Sequence, residues 1–254
     1  MNENSPRPIR LGFGFLLLAA SITAAGWFVG TGITNIRTAD RFVTVKGVAE
    51  REVKADLALW PLQLAASDND LAKAQGQITQ NVSKVMAFLL RNRIDSTEVE
   101  LQGLRVMDAF ANPYRPPDRV GNRFVIQQTM LVRSDDPEKV RAASQKVGEL
   151  VNVGVVLSSG PEWGPGGPSY VFRRLNDLKP SMIASATAEA RKAAEQFAKD
   201  SKSRLGGIHS ANQGVFVILP RDATSGDQGG AMAEQTQIYK IVRVVTTVEY
   251  LLRD

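Results

Sequence analysis

Few side chains in this chain could do covalent chemistry. Its single histidine is His209, and it has no cysteine. That excludes thiolate nucleophiles, disulfides, Cys-ligated metals and sites built from several imidazoles. A Ser-His-Asp arrangement would need His209 held by a carboxylate and turned toward a serine. Ser210 is adjacent, but neighbours on a strand point to opposite faces, and no Gly-x-Ser-x-Gly elbow occurs. His209 is expected to be a structural or surface residue. Two carboxylate pairs, Asp68 with Asp70 and Asp135 with Asp136, could share acid–base work. Both stand where helices should begin, so capping is their expected role. The glycine-rich runs 160–167 and 226–230 precede strands rather than helices and lack the Lys-Ser/Thr ending of a phosphate loop. No catalytic residue, metal or other cofactor is expected.

The remaining polar candidates belong to recognition. Tyr114, Arg115 and Arg119 sit in a Pro-rich loop over 111–122, with Arg123 just after it, and Trp163 sits in a second Gly/Pro loop, shortly before Tyr170. Tyr114, Arg115, Arg119, Trp163 and Tyr170 are the candidate interaction residues, because aromatic and Arg side chains favour interface cores. A solvated loop is the plain alternative, and a cleft between the two loops another. The 31 basic and 26 acidic residues are spread evenly. That is not a nucleic-acid footprint, which would cluster Lys and Arg on one face.

Local patterning predicts the elements around these residues. Residues 42–45 read as a strand broken by Gly47, and 53–66 as a second strand whose apolar face changes beside Pro61, a bulge or edge position. Asp70 caps a helix with Leu71, Ala74, Ile78, Val82, Val85 and Leu89 in one stripe, ending near Arg91-Asn92. Strands follow over 98–107 and 123–133, the latter with Phe124, Ile126, Met130 and Val132 inward. Asp136-Pro137 opens a second helix carrying Val140, Ala143, Val147 and Leu150. Strands at 153–157 and 170–175 lead to a third helix, opened by Pro180 and ended by Gly206-Gly207. Its buried stripe is Ile183, Ala186, Ala190, Ala193 and Phe197. A strand over 208–219, a small polar segment over 221–234 and a closing strand over 237–251 complete the chain. Val242, Val244, Val248 and Tyr250 share one face of that last strand. The order predicts an α+β fold: one antiparallel sheet with three main helices packed on it, built from helix-strand-strand pseudo-repeats.

Residues 11–36 contain no charge, and 11–33 are strongly apolar. As a helix, 23 residues would reach about 34 Å, enough for a bilayer core of about 30 Å. A cleaved signal would end near Ala24-Ala25, yet Trp27 and Phe28 prolong the run and suit an interfacial belt. The expected organisation is a cytoplasmic tail (1–10), a transmembrane anchor (11–33), a linker (34–41) and an extracytoplasmic domain (42–254). The location is then the inner membrane, single-pass, with the domain in the periplasm or outside the cell.

Several segments together resemble the SIMPL-domain family of bacterial envelope proteins. They are Val43-Thr44-Val45-Lys46-Gly47, Asn112-Pro113-Tyr114, and the run from Tyr170-Val171-Phe172-Arg173-Arg174-Leu175-Asn176 through Pro180 into Ala190-Arg191-Lys192-Ala193-Ala194. Leu205-Gly206-Gly207-Ile208 and Ala211-Asn212-Gln213-Gly214 complete the likeness, which covers about 41–252. The resemblance implies an α+β fold, an envelope location, ring-like homo-oligomers in some members, and links to oxidative-stress defence and immunogenicity. The expected function is a non-enzymatic, membrane-anchored module acting by self-assembly or by binding another envelope protein. A ligand-binding or stress-sensing domain is the alternative, and an uncharacterised hydrolase the second.

Overall fold

The computed structural model describes residues 18–29, 41–111, 121–157, 167–222 and 230–253. The strands are β1 (Phe42–Lys54), β2 (Leu57–Asp68), β3 (Val99–Asp108), β4 (Phe124–Ser134), β5 (Ser169–Val171), β6 (Arg204–Gln213), β7 (Val217–Pro220) and β8 (Tyr239–Arg253). The helices are α1 (residues 18–29), α2 (Leu71–Arg91), α3 (Pro137–Ser144), α4 (Gly148–Asn152), α5 (Leu175–Asp200) and α6 (Gly230–Thr236). The α+β class holds, with antiparallel pairing. The single sheet does not. One four-stranded sheet has the order β3-β4-β2-β5, and a second has β1-β8-β6 with β7 also on β8. Two compact units result, and β1, β8 and α5 contribute residues to both.

The larger unit comprises Ala49–Ser185 and Val215–Val245. In β2, Ala58, Trp60, Leu62, Leu64 and Ala66 alternate into the core, each at most 7% exposed. The apolar face therefore runs on through Pro61 without changing, because Ala58 carries it where the larger Leu57 and Leu59 suggested a switch. The β2–β4 register is unbroken from Ala58↔Ser134 to Asp68↔Phe124, so no bulge is present. Ala65 donates to the Val156 carbonyl on the side away from β4. Pro61 has the same parity, and its missing N–H deprives β4 of nothing.

Against this face lie Ala74, Ile78, Val85, Phe88 and Leu89 of α2, with Ile126, Met130 and Val132 of β4. Fully burying a side chain of this size contributes about 1.5–3 kcal/mol. Asp70 accepts the Ala72 N–H at 2.8 Å, capping α2 as expected. Leu71, expected in the stripe, is 43% exposed, and Phe88, not expected there, is buried. The expected helix from Pro137 through Leu150 is two short ones, α3 and α4, separated at residues 145–147. Only Leu64↔Leu157 remains of the strand expected at 153–157.

The other unit comprises Met1–Val48, Ala186–Gly214 and Thr246–Asp254. Its core joins Val45, Ala190, Ala194, Val248 and Tyr250. Gly47 does not break β1; it lets the α5 backbone approach. On α5 the buried positions are Met182, Ala186, Ala190, Ala194 and Ala198, one every four residues, while Phe197 is 58% exposed. α5 starts at Leu175 with Pro180 inside it, so the strand expected over 170–175 stops at Val171. Pro180 lies in the second turn, where it forgoes one bond, to the Asn176 carbonyl. The helix stops before the glycines. Lys202 takes φ +56°, Ser203 N donates to Ala198 O and Lys202 N to Lys199 O. Gly206-Gly207 thus falls inside β6, where a Cβ on Gly206 would lie 2.9 Å from the Leu251 carbonyl oxygen.

The strand expected over 208–219 is divided between β6 and β7, and α6 forms within the segment expected to be irregular. Along β8 the expected inward face is present at Val242, Val244, Val248 and Tyr250, each at most 2% exposed. Residues 18–29 of the expected anchor are helical. Among the described residues no helix is long and apolar enough to cross a membrane. Residues 11–17 and 30–33 of the expected anchor, the tail 1–10 and linker residues 34–40 lie outside the described residues.

Candidate functional site

Among the described residues β3 forms one end of its sheet and pairs only with β4. Its register places Val99, Leu101, Leu104 and Val106 opposite Val132, Met130, Gln128 and Ile126, on the sheet face that α2 covers further in. The odd-to-even switch between Leu101 and Leu104 is a bulge at Gly103, where φ is +43°. Without it, Leu104 and Val106 would turn to the opposite face. Gln128 Nε2 donates to the Gln102 carbonyl at 2.8 Å and satisfies the backbone oxygen beside the bulge. α2 packs mainly on β2 and β4, and Leu101, Leu104 and Val106 stay 58%, 52% and 49% exposed. An apolar edge strand left open is a place for association.

The larger unit also has a cleft of about 490 Å³, lined by Glu138 and Arg141 of α3, Tyr170 of β5, Arg221 and Asp222 after β7, and Gln237 and Tyr239 at the start of β8. Lys54 Nζ and the Arg221 guanidinium lie 5.9 and 5.7 Å from the Tyr239 ring centroid. The cations are already matched: Arg141 and Lys54 with Glu138 at 2.7 and 3.5 Å, and Arg221 with Glu52 at 3.4 Å. Burial pushes the Tyr170 phenol above its ordinary range, partly offset by Arg141 and by a hydrogen bond with Ser144. The cleft can hold a small polar molecule. Glu138, Arg141 and Arg221 are each held in an ion pair.

The other polar groups serve the framework. Asp56 receives the Arg173 backbone N–H at 2.9 Å, Arg173 Nε at 3.3 Å and Arg174 Nε at 3.2 Å. Burial alone would raise the Asp56 carboxyl, but the Arg173 bonds and charge, with Arg174 behind them, hold it below the usual range. Arg173 also reaches Asp135 Oδ1 at 2.8 Å. Asp136 accepts the Glu138 and Lys139 N–H groups and caps α3 as expected, whereas Asp68 accepts the N–H of the cap residue Asp70 and Asp135 pairs with Arg173 in place of capping. His209 stacks on Phe42 with centroids 5.9 Å apart, and Ser210 Oγ donates to Glu249 Oε2 at 2.8 Å. Serine and histidine are thus turned to different partners. Among the described residues no group of acids and histidine could hold a metal ion.

Of the candidate interaction residues, Tyr114, Arg115, Arg119 and Trp163 lie outside the described residues. Tyr170 is not in a loop: it pairs with Ala58 on β5 and is 4% exposed, because its ring fills the core under α3. Two features escaped the sequence reading. One is the bulge in β3, a strand otherwise expected, for which the isolated Gly103 inside an apolar alternation was the available signal. The other is Lys240, on the inward face of β8 at 0% exposure, donating to the carbonyl and carboxylate of Glu234 on α6.

A family model described as SIMPL, a protein of unknown function, matches residues 43–250, and the chain belongs to that family. The uncharacterized protein YggE of Edwardsiella ictaluri (strain 93-146) is 30% identical over 95 residues. That stretch covers 37% of this chain and 39% of the relative, well under two thirds of its length.

Proposed function

We propose that this SIMPL-family chain is a non-enzymatic association module, anchored in the inner membrane by residues 11–33 with its domain on the periplasmic or outer side. The observation that carries the association reading is the uncovered apolar stripe Leu101, Leu104 and Val106 on edge strand β3. Anchoring draws support from the charge-free run 11–36 and from α1, whose Leu18, Ile22, Trp27, Phe28 and Val29 are 60–77% exposed. Apolar side chains so exposed suit a lipid or protein environment better than water. A role in envelope or oxidative-stress tolerance belongs to the same reading and rests on the family likeness alone.

Sedimentation of detergent-extracted full-length protein tests association: species larger than one chain are expected, and a strict monomer at cellular concentration sinks it. A reporter active only in the periplasm, fused after Asp254, tests the topology, and a silent reporter on an expressed fusion refutes it. A second reading, a ligand-binding domain, is favoured by the cleft between Tyr170 and Tyr239. It predicts that a small charged molecule raises the melting temperature of the wild type but not of Arg221→Ala.

A further inference from the structure

The free edge of β3 has a self-complementary sequence. Set antiparallel to a second copy of itself about a two-fold axis between Gln102 and Gly103, it brings Glu100 opposite Arg105, Leu101 opposite Leu104 and Val99 opposite Val106. The faces agree as well. Val99, Leu101, Leu104 and Val106 all share the α2-side face, whereas Glu100 and Arg105 share the other, opposite Leu131 and Gln127. That agreement depends on the bulge at Gly103, which falls at the symmetry axis and shifts parity by one between Leu101 and Leu104. In a regular strand the same register would set each leucine against the opposite face of its partner. Glu100 and Arg105 are exposed and lack an ion-pair partner among the described residues.

Resting on the association reading above, we infer that β3 pairs with β3 of a second copy in this register, joining two four-stranded sheets into one continuous sheet with two Glu100–Arg105 pairs. The occupant is another copy because the edge complements itself in charge, in apolar side chains and in the position of its bulge. Closely opposed residues on antiparallel strands lie about 4.5–5.5 Å apart, near enough for Leu101 and Leu104 of different copies to cover one another. The interface is isologous, so each single charge reversal is felt twice.

Charge exchange in the detergent-solubilised full chain tests this register. Glu100→Arg and Arg105→Glu should each weaken dimerisation by about tenfold, since two attractive cross-strand pairs become repulsive. The double variant E100R/R105E should recover wild-type dimerisation, and an equimolar mixture of the two single variants should form mixed dimers. Because the chain has no cysteine, Leu101→Cys with Leu104→Cys should give an intermolecular disulfide on oxidation. A wild type that is monomeric overturns the association reading and this one with it. A wild-type oligomer that keeps its affinity in both single variants and gives no crosslink leaves association standing and refutes the β3 pairing.

Discussion

A methyl group on Gly47 would sit 1.8 Å from the Ala186 carbonyl oxygen and 2.6 Å from Ala190 N. β1 and α5 therefore meet backbone to backbone, and the alanine spine 186–190–194–198 is what permits it. Both obstructing atoms are main chain, so no rotamer change relieves them. Gly47→Ala should cost about 3 kcal/mol through forced separation of strand and helix. Gly76, exposed on α2 with nothing within 4 Å of its added Cβ, is the control, and Gly76→Ala should stabilise by about 1 kcal/mol. Denaturant midpoints of the two variants should move in opposite directions, and a neutral Gly47→Ala would contradict the close approach.

Two helices end on residues ill suited to their backbone. Arg93 after α2 and Lys202 after α5 have φ of +66° and +56°. At each, the following residue closes a six-to-one bond, Ile94 N to Leu89 O and Ser203 N to Ala198 O. A side chain in the left-handed region costs about 1–2 kcal/mol. Arg93→Gly and Lys202→Gly should each raise stability by about 1 kcal/mol in thermal melts, less the entropy glycine adds to the unfolded chain. Destabilisation by either would mean that the side chain contributes more than its backbone strain costs.

Strong local signals survived the passage from sequence to structure, whereas those requiring a third dimension did not. Asp70 and Asp136 capped as expected because capping is decided within three residues. The inward faces of β4 and β8 were legible because a period of two needs no partner. Gly47 was misread because a strand-breaking glycine and one beneath a helix look alike until Ala186 stands above it. The exposure of β3 was invisible for a related reason: Leu101, Leu104 and Val106 form an apolar face whether or not a helix reaches them. Lys240 set a charge on a face otherwise apolar but for Thr246, and Glu234, on a helix within an unpromising polar segment, explains it. Among the candidate interaction residues, Tyr170 showed only an aromatic ring in sequence, and the ring went inward.

The acid sensitivity of the larger unit should centre on Asp56 and Glu98. Burial opposes the charge of each, yet Arg173 and Arg174 outweigh it for Asp56, and Lys139 with Ser134 for Glu98; both carboxyls lie below their ordinary values of 3.8 and 4.5. A group whose pKa is lowered on folding stabilises the fold above its unfolded value. That contribution fades as pH falls through the folded one. Stability should therefore drop below about pH 4.5, where the unfolded chain takes up these protons first. Asp56→Asn and Glu98→Gln should each be less stable than wild type at pH 7 and show a shallower acid limb. Limbs parallel to the wild type would mean that other carboxylates govern the transition.

Lys240 acts in the same sense, but in an alkaline window. Burial lowers its pKa from the ordinary 10.5, with Glu234 opposing the shift. Between the folded value and 10.5 the unfolded chain holds more protons, so Lys240 makes stability rise with pH across that window. At neutral pH the fold instead bears a buried cation that Glu234 must balance. Glu234→Ala leaves it uncompensated and should cost about 3–5 kcal/mol, whereas Lys240→Met with Glu234→Gln should stay within about 1 kcal/mol of wild type. The non-additivity separates an ion pair from two independent contributions. If the double variant were as unstable as Glu234→Ala, the loss would lie in the packing of α6 on β7 and β5, and the charge of Lys240 would be incidental.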